Sequence, residues 1–362
     1  MQDHAENDLS RAGRRVIQGV VRTHAPTGGA AEPLAADPGL DGLDLRIVSA
    51  LQIEPRASWA KVGSVLGVDA VTVARRWNRL RAAGLAWVTA YEPGPAQGRL
   101  AVVEVECAGN PLEVADSLVG DQECQTLDLA SGGRDLLVGV CAHDEVALAD
   151  YLLKRLGTGP QIRAVRTQLV TSFVREAGDW RLGELPADQA ARFTEHGARE
   201  PGAPVAPTGL ERAVLAALRE DGRMPATTIA ARTDVPVRRA REVVQRLLRH
   251  RRVALWTDVA RAKCGRSVQA WFFLQVPARR LAGVAARLAR LDEARLVVTT
   301  VGTYNLAVCV WMRELADVTR LEARIEDGLE GVRIADRCIT LRTAKRAGNL
   351  LDAQGRRTVR AS

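Results

Sequence analysis

The chain has 362 residues, of which 47% are hydrophobic and 26% charged, and this ordinary composition excludes a globally disordered protein. At roughly 100–200 residues per domain, the length indicates two to four domains. Lysine and arginine total 51 against 43 aspartate and glutamate residues, a net charge of +8 that permits a polyanionic partner without proving one. The position of the positive charge is therefore more informative than its sum.

The sequence contains no apolar run of the roughly 18–20 residues that a membrane-spanning helix needs, and its first residues lack the apolar core of a signal peptide. We therefore expect a cytoplasmic protein with no membrane partner. The six cysteines are far apart, form no Cys-x-x-Cys pair and have no histidine at metal-ligand spacing. They are predicted to be small buried residues, and we expect neither a metal site nor a cofactor.

Residues 1–40 are rich in glycine, alanine, proline and aspartate, and are predicted to form a disordered arm. Beyond them, apolar residues recur at helical spacing with breaks at Pro55 and Gly67. This pattern predicts three short helices at about 45–54, 58–66 and 70–83. They form the body of a first helix-turn-helix domain, predicted over 41–92.

The segment that begins at Leu210 superposes without a gap on the one that begins at Leu43. Five matching positions share an offset of 167: Leu51 and Leu218, Arg56 and Arg223, Val62 and Ile229, Val68 and Val235, Leu80 and Leu247. Five matches at one constant offset are unlikely to arise by chance, so the pattern predicts a tandem duplication. The second helix-turn-helix domain is predicted over 209–260.

The same order of predicted elements, β-α-β-β-α-β, follows each helical segment. This order is typical of a ferredoxin-like unit, in which two helices cover one face of a four-stranded antiparallel sheet. The two units are predicted over 97–176 and 265–346, joined by a linker at 177–208 with a short helix near Ala187 and followed by a tail at 347–362. The predicted fold class is therefore α+β: two copies of a winged-helix-like helix-turn-helix domain, each followed by a ferredoxin-like domain.

The third predicted helix carries the most informative charges. Val73, Trp77 and Leu80 fall on one face and are predicted to pack inward. Two helices separated by a tight turn, the second exposing arginines, match a helix-turn-helix whose second member enters the major groove. Arginine suits this task because its planar fork holds a guanine edge or a phosphate in two bonds, although arginines on an exposed face can also merely solvate it. The predicted contacts to double-stranded DNA are Thr72, Arg75, Arg76 and Arg79.

The corresponding helix of the second copy is less regular. Glu242 takes the place of Arg75, and Val243 takes that of Arg76. An acidic side chain can read a cytosine amino group but repels phosphates. We predict strong contact with the DNA backbone and leave open whether this copy reads bases. Its predicted contacts are Arg238, Arg239, Arg246 and Arg249.

These features resemble the Lrp/AsnC family of bacterial transcription regulators. The resemblance is carried by Leu43-Asp44 through Leu51, by Arg56-Ala57-Ser58, and by the run from Val68 through Arg75-Arg76-Trp77 to Gly84-Leu85. It covers about 43–176 and 209–346, most of the chain. It implies a sequence-specific DNA-binding regulator, not an enzyme, whose two halves pair as an intrachain pseudo-dimer and assemble into homo-oligomers.

The same resemblance implies that a small effector, often an amino acid, binds near glycine turns of the ferredoxin-like units. The family's Gly-x-Tyr-Asp turn corresponds to Gly132-Gly133-Arg134-Asp135, and again to Gly302-Thr303-Tyr304-Asn305. Asn305 lacks the charge of Asp, and Arg134 adds a cation that favours an acidic ligand or an internal partner. The alternative is that both glycine turns only close hairpins.

Two other classes of function remain open at this point. Sirohaem decarboxylases share the duplicated architecture but use a porphyrin pocket with histidines, whereas His143 is the only one of the five histidines here in a ferredoxin-like unit, at a strand end where a surface position is expected. A protein-binding module is the other alternative, and a steep salt dependence of DNA affinity distinguishes the regulator from it.

Overall fold

A computed structural model of the protein describes residues 39–91, 99–193, 207–250 and 252–358. The predicted arm lies outside the described residues except for its last two positions. No helix within the described ranges is long and apolar enough to cross a bilayer. Five of the six cysteines are buried and all are free, which confirms their prediction as small buried residues.

The first helical unit consists of α1 (Gly42–Ile53), α2 (Trp59–Leu66) and α3 (Ala70–Ala82), followed by strand β1 (Ala86–Tyr91). Side chains of Asp41, Ser58 and Asp69 accept backbone N–H groups at the three helix starts, which satisfies donors that the helices leave open. Gly67, at φ 72°, ends α2. The three predicted helices are therefore present with their boundaries displaced by at most a few residues.

Residues 99–175 form a four-stranded α/β unit. Its elements are β2 (Arg99–Cys107), α4 (Pro111–Leu118), β3 (Cys124–Ala130), β4 (Leu136–Ala142), α5 (Glu145–Asp150) with a continuing π-helical turn (Tyr151–Leu156), and β5 (Ile162–Arg175). A short helix, α6 (Ala187–Ala190), follows. Trp180, Leu182 and Phe193 are buried in the core of the first helical unit. The short helix predicted near Ala187 is therefore present, and the segment 177–193 also packs apolar side chains on this core.

A second helical unit contains α7 (Gly209–Glu220), α8 (Ala226–Thr233) and α9 (Val237–Arg249), followed by strand β6 (Ala254–Val259). A second α/β unit follows in the same order. It comprises β7 (Val268–Gln275), α10 (Leu281–Leu288), β8 (Ala294–Val301), β9 (Leu306–Met312), α11 (Ala316–Gly328) and β10 (Arg333–Arg346), with a short final strand β11 (Asn349–Leu350).

The two α/β units share one closed antiparallel barrel. The strand order is β10-β3-β4-β2-β5-β8-β9-β7, and β7 pairs with β10 again. The long strands β5 and β10 make this closure possible, because each pairs first within its own unit and then with the other. β5 passes from β2 to β8 at Leu169, and β10 passes from β7 to β3 between Ile339 and Thr340.

Alternation along the barrel strands separates three apolar cores. On β2, Val103 faces the core beneath α4 and α5, whereas Val102 faces the barrel interior. A third core lies beneath α10 and α11. The barrel therefore has helices outside it and a separate aromatic interior lined by Trp271, Phe273 and Tyr304.

The helical units are joined by a ribbon of two antiparallel strands, one from each unit. β1 pairs with β6 over six residues, from Ala86 opposite Val259 to Tyr91 opposite Ala254. The C-terminal tail also contacts both units, since Arg357 donates its backbone N–H to Gly84 O at 2.9 Å and its guanidinium to Glu220 O at 2.7 Å. These contacts fix the helical units to one another.

Candidate nucleic-acid interface

The outward face of α3 consists of three exposed side chains at helical spacing. Val73, Trp77 and Leu80 are buried as predicted, and the opposite side of the helix presents Val71, Arg75 and Asn78. Val71 is 76% exposed. The Arg75 guanidinium forms no ion pair within the described residues, so it is available to an external anion.

Thr72 belongs to the start of the same helix and is partly buried. Its hydroxyl donates to Asp69 Oδ2 at 2.6 Å, while Asp69 Oδ1 accepts the backbone N–H groups of Val71 and Thr72. The Thr72 hydroxyl contact is the largest cause of a lowered pKa of Asp69. Thr72 therefore orders the first turn of α3 and keeps an oxygen lone pair that can accept from a ligand.

The guanidinium groups of Arg76 and Arg79 both pair with carboxylates at the beginning of α1. Arg76 Nη1 lies 2.5 Å from Asp41 Oδ2 and 3.1 Å from Asp44 Oδ1. Arg79 Nη2 pairs with the other oxygen of Asp44, whose side chain is 1% exposed. The hydrogen bond from Arg76 lowers the pKa of Asp41. Arg76, at 26% exposure, differs from the predicted outward position, whereas Arg79 remains 58% exposed while it compensates the charge of the buried carboxylate.

The second helical unit contains the same arrangement at the same offset. Glu211, Thr208 and Arg246 stand 167 residues after Asp44, Asp41 and Arg79. Glu211 Oε1 lies 3.1 Å from Arg246 Nη2 and 3.0 Å from Arg252 Nη1, while Glu211 Oε2 accepts the Thr208 N–H. That backbone hydrogen bond, followed by the two guanidinium groups, lowers the pKa of Glu211. Arg246 is therefore also engaged within its own unit.

The outward face of α9 carries more charge than that of α3. Arg238, Glu242 and Gln245 are exposed at the positions that correspond to Val71, Arg75 and Asn78. Glu242 lies 2.9 Å from Arg238 and 3.8 Å from Arg239, and the hydrogen bond from Arg238 lowers the pKa of Glu242.

Other arginines around α9 keep their charge available. Arg241 and Arg249 are exposed and form no ion pair within the described residues. Arg239 is also exposed, and its nearest carboxylate oxygen is the 3.8 Å contact to Glu242. The outward face of α9 therefore presents several arginines around the carboxylate of Glu242.

The two helical units dock through a reciprocal exchange of arginines. Arg56 donates to Gly222 O at 2.6 Å and to Met224 O at 3.2 Å. Arg223, its counterpart at an offset of 167, donates to Pro55 O at 2.5 Å and to Ala57 O at 2.8 Å. Burial lowers the pKa of both groups, that of Arg223 to about 10. The contact leaves the outward faces of α3 and α9 uncovered while it fixes their separation.

The first predicted effector turn has most of its polar groups engaged internally. Arg134 is 3% exposed, with Nε 3.0 Å from Glu104 Oε2 and a second ion pair to Asp336. Asp135 accepts the Cys107 N–H at 2.7 Å. Only the tip, Gly132 and Gly133, is exposed. Arg134 thus has the internal partner that the sequence left as one of two choices.

The second predicted effector turn also has its side chains engaged by internal partners. Asn305 accepts the Val276 N–H at 2.9 Å and donates to Val276 O at 2.7 Å, so the amide serves the same strand-end position as Asp135. Tyr304 is buried against Phe273 at 5.0 Å between ring centroids. A Cβ at Gly302 would lie 2.0 Å from Gln168 Oε1, so a larger residue there requires the Gln168 side chain to shift. Thr303 and Gly302 remain exposed at the tip.

Sequence reasoning missed Val71, Asn78 and Gln245 on the two outward faces. At 100° per residue, the centre of the buried face of α3 lies between Val73 and Trp77, and the opposite direction falls on Val71 and Arg75. Arg76 is only a short rotation from the buried face. The helical periodicity alone therefore contained this signal, but selection of residues by charge obscured it.

One cavity, of about 160 Å³, lies in the barrel interior, where β6 of the ribbon closes one side. Trp256, Trp271 and Trp311 are among its lining residues, together with Arg295 and Arg346. Within the described ranges there is no cluster of histidine, cysteine and carboxylate side chains that could hold a metal ion. His143 and His250 are exposed and do not line the cavity.

Comparison with known proteins links the first helical unit to one family. The family model for the AsnC-type helix-turn-helix domain matches residues 40–81, which span α1 to α3. An uncharacterised HTH-type transcriptional regulator of Pyrococcus furiosus is 31% identical over 137 residues, which are 37% of this chain and 93% of that protein. A second such regulator, from Pyrococcus abyssi, is 26% identical over 131 residues, 36% of this chain and 83% of its own.

Among solved structures, the chain is similar in fold to the sirohaem decarboxylase NirDL in complex with an iron-uroporphyrin III analogue. The TM-score is 0.56 at 13% identity, covering 84% of this chain and 93% of that one. At this level of identity the match concerns the fold alone.

Proposed function

The chain belongs to the Lrp/AsnC family of transcription regulators, and from this premise we propose that it regulates transcription by binding duplex DNA through the outward faces of α3 and α9. The observation that carries the proposal is the uncovered start of α3, where Val71 and Arg75 are exposed while the neighbouring arginines are paired internally. Recognition helices contact base edges with their N-terminal residues.

We also propose that the chain is a tandem form of a regulator that elsewhere is a single unit. The Pyrococcus furiosus relative matches over 93% of its own length with only 37% of this chain. The buried carboxylate with its arginine, Asp44 with Arg79 and Glu211 with Arg246, recurs at one offset, as does the exchange of Arg56 and Arg223. The single barrel built by both α/β units supports an intrachain pseudo-dimer.

Within this proposal the DNA contacts divide into two groups. Arg75 contacts a base edge or phosphate in the first unit, with Thr72 at its side. Arg238, Arg239 and Arg249 contact phosphates in the second unit. Arg76, Arg79 and Arg246 neutralise the carboxylates at the starts of α1 and α7, and so act on DNA through the placement of the helices.

Further assembly of the chain and an effector at the two glycine turns stay predictions. The exposed tips, Gly132-Gly133 and Gly302-Thr303, are the parts of those turns that a ligand can reach. The buried Arg134 and Tyr304 would act there by holding the turns in shape.

The second candidate function, an enzyme resembling a sirohaem decarboxylase, is favoured by the match to NirDL over 84% of the chain. We place it second for two reasons. The described histidines lie outside the cavity. The cavity of about 160 Å³ is comparable to engineered cavities of roughly 150 Å³ that hold benzene, and a four-ring tetrapyrrole is far larger.

The proposal is tested by the salt dependence of binding to duplex fragments selected from sheared genomic DNA. We expect the logarithm of the association constant to fall linearly with the logarithm of salt concentration, because arginines that neutralise several phosphates release counterions. Affinity that does not change with salt, or no retained fragment in dilute buffer, would contradict a DNA-binding function.

A further inference from the structure

The barrel cavity has the composition of a ligand site. All eight strands of the closed barrel contribute lining residues, and Trp256 of β6 and Ala177 close one side. Aromatic side chains provide much of the wall: Phe173, Trp256, Trp271 and Trp311. Eight-stranded barrels have interiors that either fill with side chains or hold one small ligand, and this interior is incompletely filled.

Two arginines give the cavity a charged end. Arg295 is 3% exposed and Arg346 is 7% exposed, and both lie against the same carboxylate, with Asp258 oxygens 2.9 Å and 3.4 Å away. Arg295 also lies over the Trp311 ring at 4.2 Å and the Trp256 ring at 4.7 Å. The two guanidinium groups thus share one counter-charge.

The buried charge around this end is positive in sum. Arg261 is a third guanidinium close enough to affect both Arg346 and Asp128, and the carboxylates near the group are Asp128 and Asp258. Burial raises the pKa of Asp128. Burial lowers the pKa of Arg295 to about 10, so the guanidinium remains a cation at neutral pH. A buried excess of cations favours an anion.

Two hydrogen-bond donors of the cavity residues have no acceptor. Arg295 Nη1 and Trp256 Nε1 are both buried, and neither has a hydrogen-bond partner among the described residues. Each group can only donate, so each needs an oxygen or another acceptor from outside the chain. Other buried donors of the described residues also have no partner, but these two belong to side chains that line one cavity and lie in contact, with the Arg295 guanidinium 4.7 Å from the Trp256 ring.

We propose that the barrel cavity binds a small aromatic carboxylate, whose ring lies among the tryptophans and whose carboxylate accepts from Arg295 and Trp256. A cavity of about 160 Å³ holds roughly one ring, because engineered apolar cavities of roughly 150 Å³ bind benzene. The carboxylate supplies both the negative charge and the acceptor oxygens that the site lacks.

A ligand in this cavity can affect the position of the helical units through the ribbon. Trp256 lies on β6, which pairs with β1 and so connects the cavity wall to both helical units. An effect of the ligand on DNA affinity rests on the proposed function, whereas the binding step does not. A binding measurement without DNA therefore separates failure of one proposal from failure of the other.

The test is isothermal titration calorimetry of the full chain with benzoate and with its neutral isostere benzamide. We expect one benzoate per chain with a dissociation constant in the millimolar range or tighter, about tenfold tighter than benzamide, a difference of about 1.4 kcal/mol. Arg346→Gln should reduce this preference, and Val170→Phe, which fills the cavity, should abolish the binding of both compounds. Arg163→Gln removes an exposed arginine away from the cavity and should leave both affinities unchanged.

Trp256→Phe keeps the aromatic wall and removes one donor, so it replaces Arg346→Gln if that variant does not fold, with several-fold weaker benzoate binding expected. No benzoate binding at millimolar concentration would overturn the proposal. Equal affinity for the two compounds, or unchanged binding in folded Val170→Phe protein, would overturn it as well.

Discussion

At the scale of single residues, charge alone does not identify a DNA contact on α3. Arg75 and Arg79 stand one turn apart, yet Arg75 is exposed without an ion pair and Arg79 holds Asp44, which is buried. The difference comes from the first helix, whose acidic third residue caps its own N-terminus and needs a cation from α3. The roles of the two arginines are therefore separable by experiment.

Arg75→Ala is expected to weaken binding to a selected DNA fragment by about 1–3 kcal/mol without lowering the midpoint of urea unfolding. The loss is specific to the preferred sequence if Arg75 reads a base, and is uniform across sequences if it meets phosphate. Electrophoretic titration measures the affinity. Arg163→Ala, an exposed arginine on β5, is the matched control and should bind as the parent does. Parental affinity in the Arg75 variant would refute the assignment of this residue.

Glu211→Gln should lower the free energy of unfolding by about 1–2 kcal/mol at pH 7, since the amide keeps the shape but loses two ion pairs and the charged partner in the capping box. The pKa of Glu211 is lowered in the folded chain, so this stabilisation is present above its ordinary value of 4.5 and is lost as pH falls through the folded-state pKa. Urea unfolding of both proteins between pH 7 and pH 3 measures the difference. A difference that stays constant over this range would disprove the ionic contribution.

At the scale of elements, the helices and the order of the strands along the chain could be predicted from local patterns. Helical spacing with breaks at Pro55 and Gly67 located α1 to α3, and alternating apolar runs located the strands of both α/β units. The closure of the barrel was not predictable in this way. It depends on β5 and β10 leaving one partner strand for another at Leu169 and Ile339, and nothing local to either strand specifies the distant partner.

The partners of the ribbon strands and of the C-terminal tail could not be predicted from local sequence either. Ala86–Tyr91 and Ala254–Val259 are short strands whose partners lie more than 160 residues away in sequence. Residues 347–358 lacked a helical or alternating pattern but pack on Gly84 through Arg357. For the candidate site, the sequence located the helices α3 and α9 and the arginines that they carry. It could not show which arginines are neutralised, because Asp44 and Glu211 lie on other helices.

Gly84→Ala tests the docking of the tail. Gly84 has φ +65°, and an added Cβ would lie 2.2 Å from Arg357 O, so the tail must move away. Gly67→Ala is the matched control, since Gly67 has φ +72° but nothing within 4 Å of the added Cβ. Both variants carry the left-handed strain of about 1–2 kcal/mol, and only Gly84→Ala should also expose the C-terminal residues to proteases. Equal protection of the C-terminus in both variants, read by mass spectrometry after limited proteolysis, would contradict the contact.

At the scale of the whole molecule, one chain holds the two unlike outward faces of α3 and α9, the proposed DNA contacts, in a fixed relation. A symmetric dimer reads two identical half-sites, so its operator mirrors its two-fold axis. Here the corresponding positions are Val71, Arg75 and Asn78 in one unit, and Arg238, Glu242 and Gln245 in the other. The reciprocal Arg56 and Arg223 contacts and the ribbon hold both units together. The account therefore implies a DNA site without two-fold symmetry.

The most direct measurement of this claim is selection of binding sites from random duplex DNA, followed by sequencing. The parent protein should enrich a sequence that is not palindromic. A variant in which Arg238→Val, Glu242→Arg and Gln245→Asn copy the first face onto the second should instead enrich an inverted repeat of one half-site. Enrichment of no sequence, or of the same palindrome by both proteins, would contradict the account.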